Sequence, residues 1–190
     1  MRLLAHPATP SALVKSIAVD VTRQGGSSLH LSYQLEADLS QLRLPMSVTP
    51  ARVDDLWRHT CFEVFISIPG SPSYSELNFS PSGQWAAYTF TGRRTGMRAA
   101  SLQAPPSAAW RRTARRLELN VEIDLDGPLS GSGGKAVRLA LSAVIVEESG
   151  TISYWALRHP TEQPDFHHPD GFVLELPRDD EATTRGAQDA

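Results

Sequence analysis

Apolar and polar residues alternate along several segments of the chain. Ile17, Val19 and Val21 alternate with Ala18, Asp20 and Thr22. The alternation resumes over 29–36, after the consecutive glycines at 25 and 26. Side chains on a strand point to opposite faces with a period of two, so these segments predict a hairpin with one apolar and one polar face. Further segments predict strands on the same grounds, at 117–125, 137–147, 151–157 and 172–176.

These short strands predict the fold class. We find no sustained helical period, although 49–57 is compatible with a short turn of helix. Each half-apolar sheet must cover its dry face, so many short strands favour an all-β, two-layer antiparallel β-sandwich of jelly-roll or immunoglobulin-like type. We expect residues 1–177 to form one domain and 178–190, which are polar and lack an apolar period, to be a disordered tail.

Composition agrees with one globular domain. The 190 residues are 41% hydrophobic and 21% charged, which suits a single packed core. The net charge of −3 gives no reason to expect a nucleic-acid partner, because binding a phosphate backbone draws on clustered Lys and Arg. The one dense basic stretch is interpreted as a solvated hairpin flank and comprises Arg111, Arg112, Arg115 and Arg116.

Location is inferred from the cysteine count and the N-terminus. Cys61 is the only cysteine, and 1–10 has no apolar stretch typical of a signal peptide, so we expect a cytoplasmic protein. No apolar run approaches membrane-spanning length, and we therefore expect no membrane partner. The sequence leaves the oligomeric state open.

The central segment holds the most informative polar residues. In Thr60 to Ile68 the alternation turns Glu63 away from the main core, and in Tyr74 to Ser80 it places Glu76 and Asn78 on the polar side. If these strands pair, the three groups share one surface beside aromatic rings. Acids and amides that bond hydroxyls, next to rings that stack on C–H faces, suit a sugar site. The alternative is an ordinary solvated face whose acids pair with arginines.

Several motifs resemble those of DOMON-like proteins related to family 9 carbohydrate-binding modules. They occur in order and span most of the chain, at Leu56–Phe65, Glu76–Trp85, Ser153–Leu157, His159–Pro160 and Pro164–His168. The resemblance implies a β-sandwich with a non-catalytic binding role. It also implies that Trp57 and Glu63 form the first part of the site, and that Trp155 completes an aromatic clamp. Arg94, within Gly92–Met97, is the candidate for a hydroxyl-binding arginine.

The resulting hypothesis is a module that binds a small polar ligand, such as a saccharide, without a cofactor. Its predicted ligand-binding residues are Trp57, Glu63, Glu76, Asn78, Arg94 and Trp155.

The sequence also leaves other functions open besides saccharide binding. His159, Asp165, His167 and His168 are weak candidates for a metal site, and His59, His159 or Met97 for haem ligation. A protein-interaction module without a small ligand is a third reading. Glu63 and Glu76 could in principle serve as a glycosidase pair, but no nucleophile motif accompanies them, and we expect no enzyme activity.

Overall fold

A computed structural model describes residues 1–24, 27–102, 104–125 and 134–178 of the protein. Within these ranges it contains twelve strands and three single-turn 3₁₀ helices. The strands are β1 (Arg2–Ala5), β2 (Val14–Gln24), β3 (Ser28–Ala37), β4 (Cys61–Ser67), β5 (Tyr74–Phe79), β6 (Trp85–Phe90), β7 (Arg98–Ala99), β8 (Ser107–Arg112), β9 (Arg116–Asp124), β10 (Val137–Val146), β11 (Ile152–Ala156) and β12 (Leu174–Leu176). The 3₁₀ helices are Leu39–Gln41, Leu56–Arg58 and Pro169–Gly171.

The strands form two antiparallel layers joined by β1. The first layer has the order β7-β6-β5-β4-β10-β11, with β12 also paired to β10, and the second has the order β2-β3-β9-β8. Strand β1 pairs with β11 on one side and with β2 on the other. The all-β sandwich expected from the alternation is confirmed.

The main core lies between the two layers. Phe62, Val64 and Ile66 of β4 face it from the first layer, and the alternating leucines of β3 and β9 face it from the second. Tyr33 crosses between the layers, since its hydroxyl donates to the backbone carbonyl of Glu63 at 2.7 Å. Removing a large side chain from such a core typically costs about 3 kcal/mol or more, so this packing fixes the position of β4.

A second apolar cluster covers the outer face of the first layer. Phe65 and Tyr74 of the sheet pack there with Leu56 and Phe172 from the connecting segments. Strand β5 and nearly all of β4 are consequently buried on both faces. The polar face expected from the alternation is therefore a covered surface rather than an open one.

Other expectations concern shorter segments. The 3₁₀ helix Leu56–Arg58 overlaps the last two residues of the range 49–57 in which a turn of helix is expected. The basic stretch flanks the β8–β9 hairpin, and its arginines are exposed as expected. None of the described helices is long and apolar enough to span a membrane. The glycines at 25 and 26, residues 126–133, and residues 179–190 of the expected tail lie outside the described residues.

Candidate functional site

A cavity of about 590 Å³ lies on the outer face of the first layer. Its walls are largely aromatic and aliphatic, formed by Trp57, Phe90, Met97, Val144, Tyr154, Pro164 and Phe166. The polar residues that line it are Thr9, Glu63, Glu76, Arg94, Gln163 and His167. An apolar cavity with a few convergent polar groups is the usual form of a small-molecule site.

Strand register places the carboxyl groups in the cavity. In the pairing of β4 with β5, Glu63 lies directly opposite Asn78, and in the pairing of β4 with β10 it lies opposite Ser142. Glu76 lies two residues before Asn78 and so points to the same face. The expected pairing of these segments is therefore present, and it brings the three predicted polar residues of β4 and β5 together.

Two acceptor atoms beneath the cavity lack partners. Glu63 is 2% exposed, and its Oε2 accepts from the Ser142 hydroxyl at 3.2 Å. The Asn78 amide donates to Glu76 Oε1 at 2.8 Å. Among the described residues, neither Glu63 Oε1 nor Asn78 Oδ1 has a hydrogen-bond partner. A buried acceptor left unpaired costs about 1–3 kcal/mol, so a ligand that donates a hydrogen bond here would be stabilised.

Burial changes the protonation of both carboxyl groups. Desolvation raises the pKa of Glu76 to about 7, against the lowering effects of the Asn78 hydrogen bond and the Arg94 charge. Desolvation, followed by the charge of Glu76, raises the pKa of Glu63 well above its ordinary value. The pair therefore tends to retain a proton near neutral pH, because two buried like charges are unfavourable.

The imidazole ring of His167 lies beside Glu76 and is neutral. The Arg94 backbone N–H donates to the Tyr74 hydroxyl oxygen at 3.2 Å, and the Tyr74 hydroxyl is 2.7 Å from His167 Nδ1. Burial and then the charge of Arg94 lower the pKa of His167 to about 4. Because the Tyr74 oxygen already accepts the Arg94 N–H, we assign the Tyr74 hydroxyl as the donor to Nδ1, which places the ring proton on Nε2, 3.9 Å from Glu76 Oε2.

Two arginines at the tip of the β6–β7 turn pair with one carboxylate. Arg94 contacts Asp165 Oδ1 at 3.0 Å, and Arg93 contacts Oδ2 of the same residue. The turn closes by the Thr95 N–H bond to the Gly92 carbonyl at 3.0 Å. Gly96 has a φ of +63°, and a Cβ there would lie 2.2 Å from Thr91 Oγ1, so this position requires glycine.

The 3₁₀ helix Leu56–Arg58 places Trp57 at the rim of the cavity. Leu56 is buried in the outer cluster, whereas Trp57 is 44% exposed and the Arg58 guanidinium lies 4.8 Å from its ring centroid. Asp55, at the start of the helix, has a φ of +63°, and Arg94 has a φ of +54°. No other non-glycine residue in the described ranges has a positive φ. Such strain tends to concentrate at binding sites, and both examples flank this cavity.

Trp155 does not line the cavity, and its expected pairing with Trp57 in an aromatic clamp is not the arrangement present. In the pairing of β10 with β11, Trp155 lies opposite Ala143, which faces the main core. Trp155 is 7% exposed, and its indole N–H donates to Ser153 Oγ at 2.9 Å. Its neighbour Tyr154 lies opposite Val144 and lines the cavity instead.

Of the predicted site residues, the structure places four on the cavity wall or floor, namely Trp57, Glu63, Glu76 and Arg94. Asn78 is fully buried beside Glu76. Sequence reasoning did not assign Tyr154 or Phe166 to the ligand site and considered His167 only as a metal ligand. The alternation of β11 indicates only that Tyr154 and Trp155 face opposite sides of the sheet; the burial of Ser153 and Trp155 in the structure shows that Tyr154 is the one that faces outward.

The metal candidates do not form a cluster of ligands, and of the three haem candidates Met97 lines the cavity whereas His59 and His159 do not. His159 Nε2 bonds the Leu4 carbonyl at 2.8 Å, and His168 Nδ1 accepts from the Asp170 backbone N–H at 3.2 Å. Asp165 is held by the two arginines, and the side chain of His59 is exposed. In the part of the chain that the structure describes, no three residues among His, Cys, Asp and Glu form a group suited to a metal ion.

Comparisons with solved structures match the fold. A proposed carbohydrate-binding protein from Bacteroides uniformis superposes with a TM-score of 0.68 at 16% identity, covering 90% of this chain and 83% of that protein. A family 9 carbohydrate-binding module from Caldicellulosiruptor kristjanssonii, in complex with glucose, superposes with a TM-score of 0.53 at 9% identity, covering 87% and 78%. Neither a scan against protein-family models nor a search of curated proteins gave a match. The protein is thus similar in fold to carbohydrate-binding modules.

Proposed function

We propose that this protein is a non-catalytic module that binds a saccharide in the cavity on its outer sheet face. The observation that carries the proposal is the unpartnered Oε1 of Glu63, a buried acceptor beneath a cavity walled by Trp57 and Tyr154. Sugars offer hydroxyl donors for such an acceptor and C–H faces for such rings. The likeness in fold to a glucose-bound module supports the same ligand class.

The motif resemblance supports the proposal from a separate direction. The segments that resemble DOMON-like proteins related to family 9 modules include Trp57, Glu63 and Glu76, which all line the cavity. Arg94 would orient ligand hydroxyls from the turn, and Asp165 would hold it in place. A binding role without catalysis is also consistent with Cys61, which is buried and whose thiol pKa is raised well above its usual value by burial.

A tryptophan fluorescence titration tests the proposal. The purified protein is titrated with a panel of mono- and disaccharides, and we expect a saturable change from Trp57 with at least one of them. The variant Trp57→Phe should lose the change, whereas Trp110→Phe should keep it, because Trp110 packs against Phe62 in the main core. Folded protein that responds to no saccharide in fluorescence or calorimetry would overturn the proposal.

A further inference from the structure

The polar groups on the cavity floor are unevenly divided between donors and acceptors. Two donors next to the carboxyl groups are used within the protein: the Ser142 hydroxyl donates to Glu63, and the Asn78 amide donates to Glu76. Arg94 donates to Asp165 through Nε and Nη2, and its remaining N–H groups are those that would orient ligand hydroxyls. The hydroxyl of Tyr88 donates away from the carboxyl groups, to Asp54 Oδ1 at 2.7 Å.

The acceptors, in contrast, remain open. Glu63 Oε1 is without a partner in the described part of the chain, and the side chain that carries it is 98% buried. His167 Nε2 lies 3.9 Å from Glu76 Oε2, which is too long for a hydrogen bond. A ligand group that reaches Glu63 Oε1 and Glu76 Oε2 together is therefore best suited if it carries more than one N–H or O–H donor.

The balance of charges around the cavity floor also favours a ligand that carries donors. Asp165, Glu63 and Glu76 bring three negative charges when ionised, and Arg93 and Arg94 bring two positive charges. His167 contributes none, because burial and the charges of the neighbouring arginines lower its pKa and keep it neutral. When both carboxyl groups are ionised, one negative charge is left over, and a bound proton or a cation from the ligand balances it.

The walls suit a cation as well as a sugar ring. Trp57, Tyr154, Phe90 and Phe166 line the cavity, and aromatic faces attract ammonium groups. An ammonium group offers three N–H donors and one positive charge, and so meets the donor deficit and the charge deficit together.

From this arrangement we infer that the saccharide is an amino sugar whose free ammonium group lies on the cavity floor against Glu63 and Glu76. This inference rests on the proposed function and specifies its ligand class. The ammonium replaces the proton that the carboxyl pair otherwise retains. Binding of such a ligand near pH 6 is therefore accompanied by release of close to one proton to the buffer, whereas a neutral sugar leaves the proton in place.

Calorimetric titration of the full chain separates the two ligand types. The probes are glucosamine, galactosamine and mannosamine, each measured against its neutral hexose and its N-acetylated form, which has no ammonium group. We expect one of the amino sugars to bind at least tenfold more tightly than both of its counterparts. Repeating the titration near pH 6 in buffers of different ionisation enthalpy should reveal the released proton.

Variants assign the effect to the carboxyl groups. Glu63→Gln should reduce the amino-sugar preference at least fivefold, and Glu76→Gln provides a second test if the first variant unfolds. Glu122→Gln is the matched control, because Glu122 is exposed on β9 of the other layer. Loss of preference in this control as well would contradict the assignment.

The outcomes distinguish the inference from the proposed function. A neutral hexose that binds as tightly as its amino form, without proton release, overturns the inference and leaves the saccharide-binding proposal in place. Failure of the amino, neutral and N-acetylated sugars alike, together with the wider saccharide panel, overturns both.

Discussion

Glu63 and Asn78 lie directly opposite each other on β4 and β5, and each keeps one side-chain oxygen without a partner in the described ranges. The strands around them are covered on both faces, so these oxygens lie beneath a cavity rather than at an open surface. Buried polar groups are normally satisfied, so a pair of exceptions at one register position supports the proposed saccharide site.

Substitution of the two tryptophans of the expected aromatic clamp should have opposite effects on stability and on saccharide affinity. Trp57→Ala should change the free energy of unfolding by less than about 0.5 kcal/mol, because the ring is half exposed at the rim. It should weaken saccharide binding about tenfold, through loss of an aromatic contact with the ligand. Urea unfolding and calorimetric titration measure the two effects.

Trp155→Ala should instead lower the free energy of unfolding by about 3–5 kcal/mol, since it opens a cavity in the core. The more conservative Trp155→Phe should remain folded and bind saccharide within about twofold of the unchanged protein. A large loss of affinity in Trp155→Phe would contradict the placement of this residue in the core.

Stability should depend on pH through Glu76. Its pKa is about 7 in the folded protein, against 4.5 for the ordinary side chain, so the folded state holds a proton that the unfolded chain releases. The contribution of Glu76 to the free energy of unfolding is therefore largest below about pH 4.5. It declines as the pH rises to about 7, by about 3 kcal/mol at most.

His167 acts in the opposite direction, because its lowered pKa makes stability rise as the pH increases from about 4 to 6.5. The test is therefore the difference between the unchanged protein and Glu76→Gln, measured by urea unfolding across this pH range. The difference should grow in favour of Glu76→Gln up to about pH 7. The exposed variant Glu122→Gln should follow the unchanged protein, and a pH-independent difference for Glu76→Gln would contradict the prediction.

The backbone of Arg94 offers a test of strain at the site. Its φ of +54° disfavours a residue with a Cβ, whereas glycine adopts it freely. Arg94→Gly and Arg94→Ala both lose the ion pair with Asp165, so their difference isolates the backbone. We expect the glycine variant to be more stable by roughly 1 kcal/mol in urea unfolding.

The same pair of substitutions at Arg93, which also contacts Asp165, provides the control. Arg93 does not have a positive φ, so the Arg93→Ala variant should be at least as stable as the Arg93→Gly variant. Equal stabilities for the two Arg94 variants would contradict the strain argument.

The tautomer of His167 depends on Tyr74. The Tyr74→Phe variant removes the donor to Nδ1, which should cost about 1 kcal/mol of stability and allow the ring proton to exchange between the two nitrogens. Nitrogen NMR of labelled histidine should detect a single Nε2–H form before the change and a mixture after it. Tyr88→Phe, which loses a bond to Asp54, should leave the His167 signals unchanged.

The sequence predicted those features that follow from strand alternation. Residues of β4 and β5 are separated by a period of two, so their division into a core face and a polar face was accessible without knowledge of the partners. Glu63, Glu76 and Asn78 consequently share one face in the structure. Short strands such as β1 and β7 were not predicted, because two to four residues cannot establish an alternating pattern.

The walls of the site could not be predicted in the same way. Phe166 and His167 belong to a segment without strand pattern, and only the folded chain brings it against the sheet. Trp155 was assigned through a motif resemblance, whereas its direction depends on its register with Ala143. Register between β10 and β11 is a property of the pairing, and a shift of one residue would have exchanged Trp155 and Tyr154.

The cavity takes its floor from β4 and β5 and much of its wall from connecting segments, including those that carry Trp57, Arg94 and Phe166. The opposite faces of β4 and β5 pack into the main core, so these two strands tolerate few amino-acid replacements. The connecting segments accept sequence change more easily. Descendants of this protein could therefore acquire new ligand preferences by altering the loops alone, while the acidic base and the sandwich behind it remain unchanged.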